Sequence, residues 1–173
     1  MMRRLFILLM AAMSLTGFAK TNETKSATPI QKPMLKSVNF DELKTILNKN
    51  DNKLYVVNFW ATWCTPCVKE LPDFMKVNKS YSKDLRFKMI LVSLDLANEM
   101  ESRVKPFLLK NNIDADVYIL DDNKRMNEWI PAIDAKWTGA IPATVLYRNG
   151  KKLEFREGSL PKNELEQIIN KHL

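Results

Sequence analysis

Two cysteines and one histidine are all that the 173 residues contain of those types, and this scarcity removes several readings at once. A disulfide-stapled scaffold spreads its cysteines along the chain to clamp distant segments, but here both lie in one unit, Cys64-Thr65-Pro66-Cys67. The fold must therefore stand on its apolar core. A structural zinc site needs about four ligands, and the one other Cys or His side chain is His172, at the far end. A c-type haem attachment needs histidine directly after the second cysteine, where this chain has Val68. No apolar run reaches the ~20 residues of a spanning helix. Basic runs are no longer than pairs such as Lys151-Lys152, and the lysines are interspersed with acids, so the net charge of +7 describes a solvated surface and not a nucleic-acid face.

At the start, Arg3 and Arg4 precede an apolar stretch over 5–13 and a small-x-small site at Gly17-Phe18-Ala19. The pattern is that of an export signal over 1–19, with an uncleaved membrane anchor as the alternative. No cysteine stands beside that site for lipid attachment. Removal of Arg3 and Arg4, the only charged residues of the signal, takes the net charge from +7 to +5. The 154 residues that remain after position 19 suffice for one domain. Residues 20–36, rich in Thr, Lys and Pro, are expected to form a flexible linker, and 37–173 the domain. In an oxidising compartment the cysteine pair rests as a disulfide unless something reduces it.

Asn39 with Glu42 three residues on predicts a capping box and a short helix. Residues 55–60 are a nearly unbroken apolar and β-branched run, as in a strand buried on both faces. A helix is expected over 65–80, begun by Pro66 and kinked near Glu70 by Pro72. Strands follow at 87–94 and 117–120, with helices at 98–110, where Pro106 interrupts the pattern, and at 124–130. Residues 143–147 and 152–155, joined across Asn149-Gly150, predict a hairpin, and 161–173 a closing helix. No internal repeat is present. The order helix, strand, helix, strand, helix, strand, hairpin, helix predicts an α/β fold whose sheet pairs in parallel early and antiparallel late.

Two cysteines three apart at the start of a helix that follows a buried strand have a chemical use. Unpaired N–H groups and the helix dipole favour a thiolate at Cys64, the nucleophilic form. Cys67 lies one turn inside, less exposed, placed to attack the mixed disulfide and release the substrate. A bridge closing so small a loop adds little as a structural staple. A peroxide-reducing cysteine is expected three residues after Thr or Ser, and Ala61 occupies that place. Glu70, three residues after Cys67, falls on the same helix face; a surface acid in an early turn is the alternative.

The run Phe59-Trp60-Ala61-Thr62-Trp63-Cys64-Thr65-Pro66-Cys67 resembles the thioredoxin active-site segment. Its continuation Val68-Lys69-Glu70-Leu71-Pro72 resembles the exported TlpA/ResA-like branch, and Gly139-Ala140-Ile141-Pro142-Ala143-Thr144 the cis-proline loop of that superfamily. The resemblance implies a thioredoxin fold: a central mixed sheet flanked by helices on both faces, with a short N-terminal extension and a strand–helix insertion before the cis-Pro loop. It further implies that Ile141–Pro142 is cis, that Ile141 pairs with substrate backbone, that Trp63, Thr65 and Pro66 belong to the docking surface, and that Glu70 takes part in catalysis. Two departures stand out. Asn58 occupies the position of the buried aspartate of cytosolic thioredoxins, and Ala143 that of an acid common in relatives devoted to cytochrome c maturation.

The function expected is reduction of protein disulfides in the periplasm or an equivalent exported space, without a cofactor. Protein thiols and disulfides are the substrates and a membrane thiol donor the electron source, with membrane contact only if the signal stays uncleaved. The Thr65-Pro66 dipeptide resembles those of reducing members. A disulfide oxidase or isomerase, and a peptide-binding module without enzymatic activity, are the rivals.

Overall fold

A computed structural model describes residues 33–173. The expected signal, and the expected linker as far as residue 32, lie outside the described residues. The run read as a doubly buried strand is β2 (Leu54–Trp60), all seven residues of which are buried. Burial on both faces explains its apolar character: Leu54, Val56 and Trp60 enter one core, and Tyr55, Val57 and Phe59 the other. Asn58 shares the parity of Val56 and Trp60, so its amide enters the first core as a polar intrusion.

The other strands are β1 (Leu35–Val38), β3 (Phe87–Ser93), β4 (Asp116–Leu120), β5 (Ala143–Arg148) and β6 (Lys151–Glu157). They form one sheet in the order β1-β4-β3-β2-β5-β6. The four strands from β1 to β2 run parallel, and β5 and β6 are antiparallel. Helices α1 (Phe40–Leu47) and α4 (Met126–Ile133) cover one face. The other is covered by α2 (Thr65–Tyr81), α3 (Lys105–Lys110) and α5 (Lys162–His172). This is the mixed, doubly covered sheet of a thioredoxin fold.

Local chemistry accounts for most boundaries. Asn39 Oδ1 accepts from the Glu42 N–H at 2.9 Å, and Glu42 Oε2 accepts from the Asn39 N–H at 3.0 Å, completing the capping box of α1. Asn149 and Gly150 both have positive φ, 50° and 71°, as a two-residue hairpin turn requires. Helix α2 continues through Pro72, whose missing N–H leaves the Val68 carbonyl without its helical donor.

Three elements depart from the expectations. β1 begins at Leu35, inside the expected linker; its four residues carry only two large apolar side chains, and backbone pairing with β4 holds it at the sheet edge. Residues 98–110 are not one helix but a 3-10 turn (Ala97–Glu99), a π turn (Met100–Val104) and α3. Pro106 has no N–H for the Ser102 carbonyl, and it sits in the first turn of α3 where none is needed. α4 begins after a 3-10 turn (Asn123–Arg125) and runs to Ile133, beyond the expected 130.

Phe74 is fully buried on the inner stripe of α2. Phe74→Ala is expected to cost about 3–5 kcal/mol, read as a lower denaturation midpoint; a loss under about 1 kcal/mol is what a surface position gives.

Candidate active site

Cys64 is the N-cap of α2, and its Sγ accepts from the Cys67 N–H at 3.3 Å. Pro66 lies in the first turn, where it wastes no donor. The two cysteines are joined in a disulfide. Cys64 retains 6% of its exposure and Cys67 none, the asymmetry expected of an attacking and a resolving sulfur. Thr65 and Pro66 are exposed beside them, and Trp63 projects with 59% of its surface open. Trp60 is fully buried and belongs to the core.

Seventy-seven residues further on, the Ile141 carbonyl oxygen lies 3.6 Å from Cys64 Sγ. The Ile141–Pro142 bond is cis, Ile141 is half-buried and Pro142 buried. Trp137 packs against Phe59 with ring centroids 4.8 Å apart, and its indole N–H donates to the Ala140 carbonyl at 2.8 Å. On the far side the Gly158 N–H donates to the Pro142 carbonyl at 2.8 Å. Gly139 has φ +89°, and a Cβ there would come within 3.1 Å of the Ile130 side chain, so glycine is required. Trp137 as the anchor of this loop carries no motif of its own in the sequence.

Glu70 continues the buried stripe of Cys67, Leu71, Phe74 and Val77 and is 8% exposed, so it is not a solvated surface acid. Its Oε1 accepts from Asn58 Nδ2 at 2.9 Å and its Oε2 from the Leu160 N–H at 3.0 Å. Burial raises its pKa above the ordinary carboxylate range, opposed by these two bonds. Asn58 also donates to Thr144 Oγ1 at 3.1 Å, across the β2–β5 register that sets the two residues opposite each other. Asn58 Oδ1 is buried without a partner. A buried polar cluster thus joins α2, one turn past Cys67, to the strand that leaves the cis-proline loop. Asn58 serves in this cluster as a donor to Glu70.

A second buried cluster escaped the sequence reading. Asp95, 1% exposed, follows β3 and accepts from Thr62, two residues before Cys64. The available signal was its place: an acid just beyond the carboxyl end of a parallel strand, where sites of α/β sheets gather.

Among the described residues no group of His, Cys, Asp and Glu side chains is arranged to hold a metal ion. Nor is any described helix long and apolar enough to cross a membrane.

Comparison with known proteins agrees with this geometry. The AhpC/TSA family pattern matches residues 29–156. Thioredoxin-like protein YneN of Bacillus subtilis (strain 168) is 30% identical over 128 residues, 73% of this chain and 69% of that protein. Thiol-disulfide oxidoreductase ResA of Bacillus cereus is 30% identical over 131 residues, 75% of this chain and 67% of its own. A solved thiol:disulfide interchange protein of the thioredoxin family from Chlorobium tepidum TLS superposes with a TM-score of 0.59 at 25% identity, covering 75% of this chain and 83% of that one.

Proposed function

The chain belongs to the AhpC/TSA family and is a thiol–disulfide oxidoreductase, and from that premise we propose that it reduces protein disulfides in an exported, oxidising compartment. The observation that carries this reading is the Cys64–Cys67 disulfide at the mouth of α2 with the Ile141 carbonyl beside its outer sulfur.

In the reducing direction the Cys64 thiolate attacks one sulfur of a substrate disulfide; a Cys64–substrate bond forms and the substrate S–S bond breaks. The departing substrate sulfur takes a proton. Cys67 then loses its proton and attacks Cys64 Sγ, forming the Cys64–Cys67 bond and releasing the second substrate thiol. Two electrons pass to the substrate, and the protein is left oxidised. A membrane thiol donor restores the dithiol. Trp63, Thr65 and Pro66 form one wall of the docking surface; Ile141, held by Pro142, offers its backbone to an extended substrate segment. Glu70 serves as the proton acceptor for Cys67, with Asn58 orienting it. Ala143 carries no acid, so no haem-protein substrate is proposed.

Direction is read from the reduction potential. Within the span from about −270 mV for thioredoxin to about −120 mV for the strong oxidant DsbA, the expected value lies near the reducing end, supported by the Thr65-Pro66 dipeptide. Equilibration against a dithiol buffer measures it, and a value near the oxidising end overturns the reductase reading in favour of an oxidase.

A further inference from the structure

Leu94 donates its N–H to the Trp60 carbonyl at 2.8 Å, so the segments that leave β2 and β3 start side by side. Asp95 ties them together. Its Oδ2 accepts from the Thr62 N–H at 2.9 Å and from Ser93 Oγ at 2.6 Å, its Oδ1 accepts from Thr62 Oγ1 at 2.5 Å, and its own N–H donates to Ser93 Oγ at 3.0 Å. Among the described residues no Lys or Arg forms an ion pair with it. A buried carboxylate without a cation is costly unless hydrogen bonds satisfy it, and two of the three bonds its oxygens accept come from Thr62.

The two ends of the active-site turn are held differently. Cys64 is fixed by α2 through its N-cap position and its contact with the Cys67 N–H, and its own N–H donates back across the turn to the Ala61 carbonyl at 3.1 Å, a bond that leaves the Thr62 side chain to be held by Asp95. Trp63, between Thr62 and Cys64, is mostly exposed and is a member of neither buried core cluster. We infer that Asp95 is a positioning residue of the docking surface: by gripping both the N–H and the hydroxyl of Thr62 it fixes the turn that presents Trp63 beside Cys64. The inference rests on the reading of Trp63 as a docking residue. Asp95 acts on how the substrate is held, not on the reactivity of the sulfur. An unheld Trp63 samples many rotamers, and ordering it on binding costs affinity.

The test separates those two effects. Asp95→Ala, Thr62→Val and Thr62→Ser are compared with wild type in disulfide exchange run both ways, as reduction of insulin and as oxidation of a dithiol peptide, alongside alkylation of reduced Cys64 by iodoacetamide. Asp95→Ala is expected to raise KM roughly tenfold with kcat nearly unchanged, and Thr62→Val roughly threefold. Thr62→Ser keeps both bonds and stays near wild type, while alkylation stays within about twofold throughout. If Asp95→Ala does not fold, the contrast between Thr62→Val and Thr62→Ser decides. An unchanged KM in the Val variant, or a fall in alkylation parallel to the loss of binding, overturns the inference. Because exchange is scored in both directions, a wild type that oxidises but does not reduce refutes the reductase reading alone.

Discussion

Cys64→Ser is expected to lower the rate of protein-disulfide exchange by at least roughly a thousandfold, because a serine hydroxyl is neither ionised nor polarisable enough to attack sulfur at neutral pH. Cys67→Ser should leave the first attack nearly intact and abolish release, so that the protein accumulates as a covalent adduct with its substrate. The asymmetry follows from burial: Cys64 faces the cis-proline loop, and Cys67 lies behind it with no exposed surface. Insulin reduction measures the first effect, and non-reducing electrophoresis after mixing with substrate measures the second. In cells the same Cys67→Ser variant would carry its natural substrates into the adduct. A Cys64→Ser protein that retains a tenth of the activity, or that is the better trap of the two, refutes the assignment of roles.

Glu70→Gln is expected to slow the resolving step by at least roughly tenfold at neutral pH, as loss of a general base does. Glu70 and Cys67 are neighbours on α2, about 5–6 Å apart at Cβ. The deficit should close in alkaline solution, where Cys67 loses its proton without assistance. Stability carries a second signature. A folded pKa above the unfolded one means that between the two values the folded chain binds more protons. The contribution of Glu70 to stability is therefore greatest in acid and is lost as pH rises through the folded value. The Glu70→Gln variant lacks that slope, so denaturation midpoints of the two proteins measured across the acid-to-neutral range should converge or cross. Folding is expected to survive the change. The amide oxygen introduced by the substitution can accept from the Leu160 N–H, and a flip of the Asn58 amide brings its unpartnered Oδ1 round to accept from the new side-chain amide and from Thr144. Identical pH profiles of resolution in both proteins would leave Glu70 with no part in proton movement.

What could be read in the sequence is what local chemistry encodes. A nearly unbroken apolar and β-branched run made β2 legible, the Asn39–Glu42 spacing made α1 legible, and Asn149-Gly150 made the hairpin legible, since each signal lies within a few residues of what it causes. β1 was not legible because four residues with Lys36 and Ser37 among them carry almost no pattern; the partner that makes them a strand is β4, more than seventy residues away. The same limit divides the site. Cys64 and Cys67 announce themselves by spacing, and Glu70 by its step along the helix. The bonds to Glu70 come from Asn58 and Leu160, Asn58 is itself tied to Thr144, and Asp95 meets Thr62 across thirty-three positions. No short window on the chain contains both partners of any of these bonds.

The hairpin turn fixes how the protein ages. Asn149 precedes Gly150, and a glycine N–H meets little steric hindrance in attacking the asparagine side-chain amide, the step that expels ammonia through a cyclic imide. Here the amide is engaged: Asn149 Nδ2 donates to Asn52 Oδ1 at 2.7 Å, and Asn149 Oδ1 accepts from the Asn52 N–H at 2.9 Å. This reciprocal clasp slows the chemistry in the folded state and is halved by it, since an aspartate at 149 still accepts from the Asn52 N–H but has no hydrogen to give to Asn52 Oδ1. The turn lies at the Leu54 end of β2, about 20 Å along the strand from Trp60 and the cysteines. Storage damage at this dipeptide therefore loosens the pole away from Cys64, and a sample can lose heat tolerance while its thiol chemistry reads as intact.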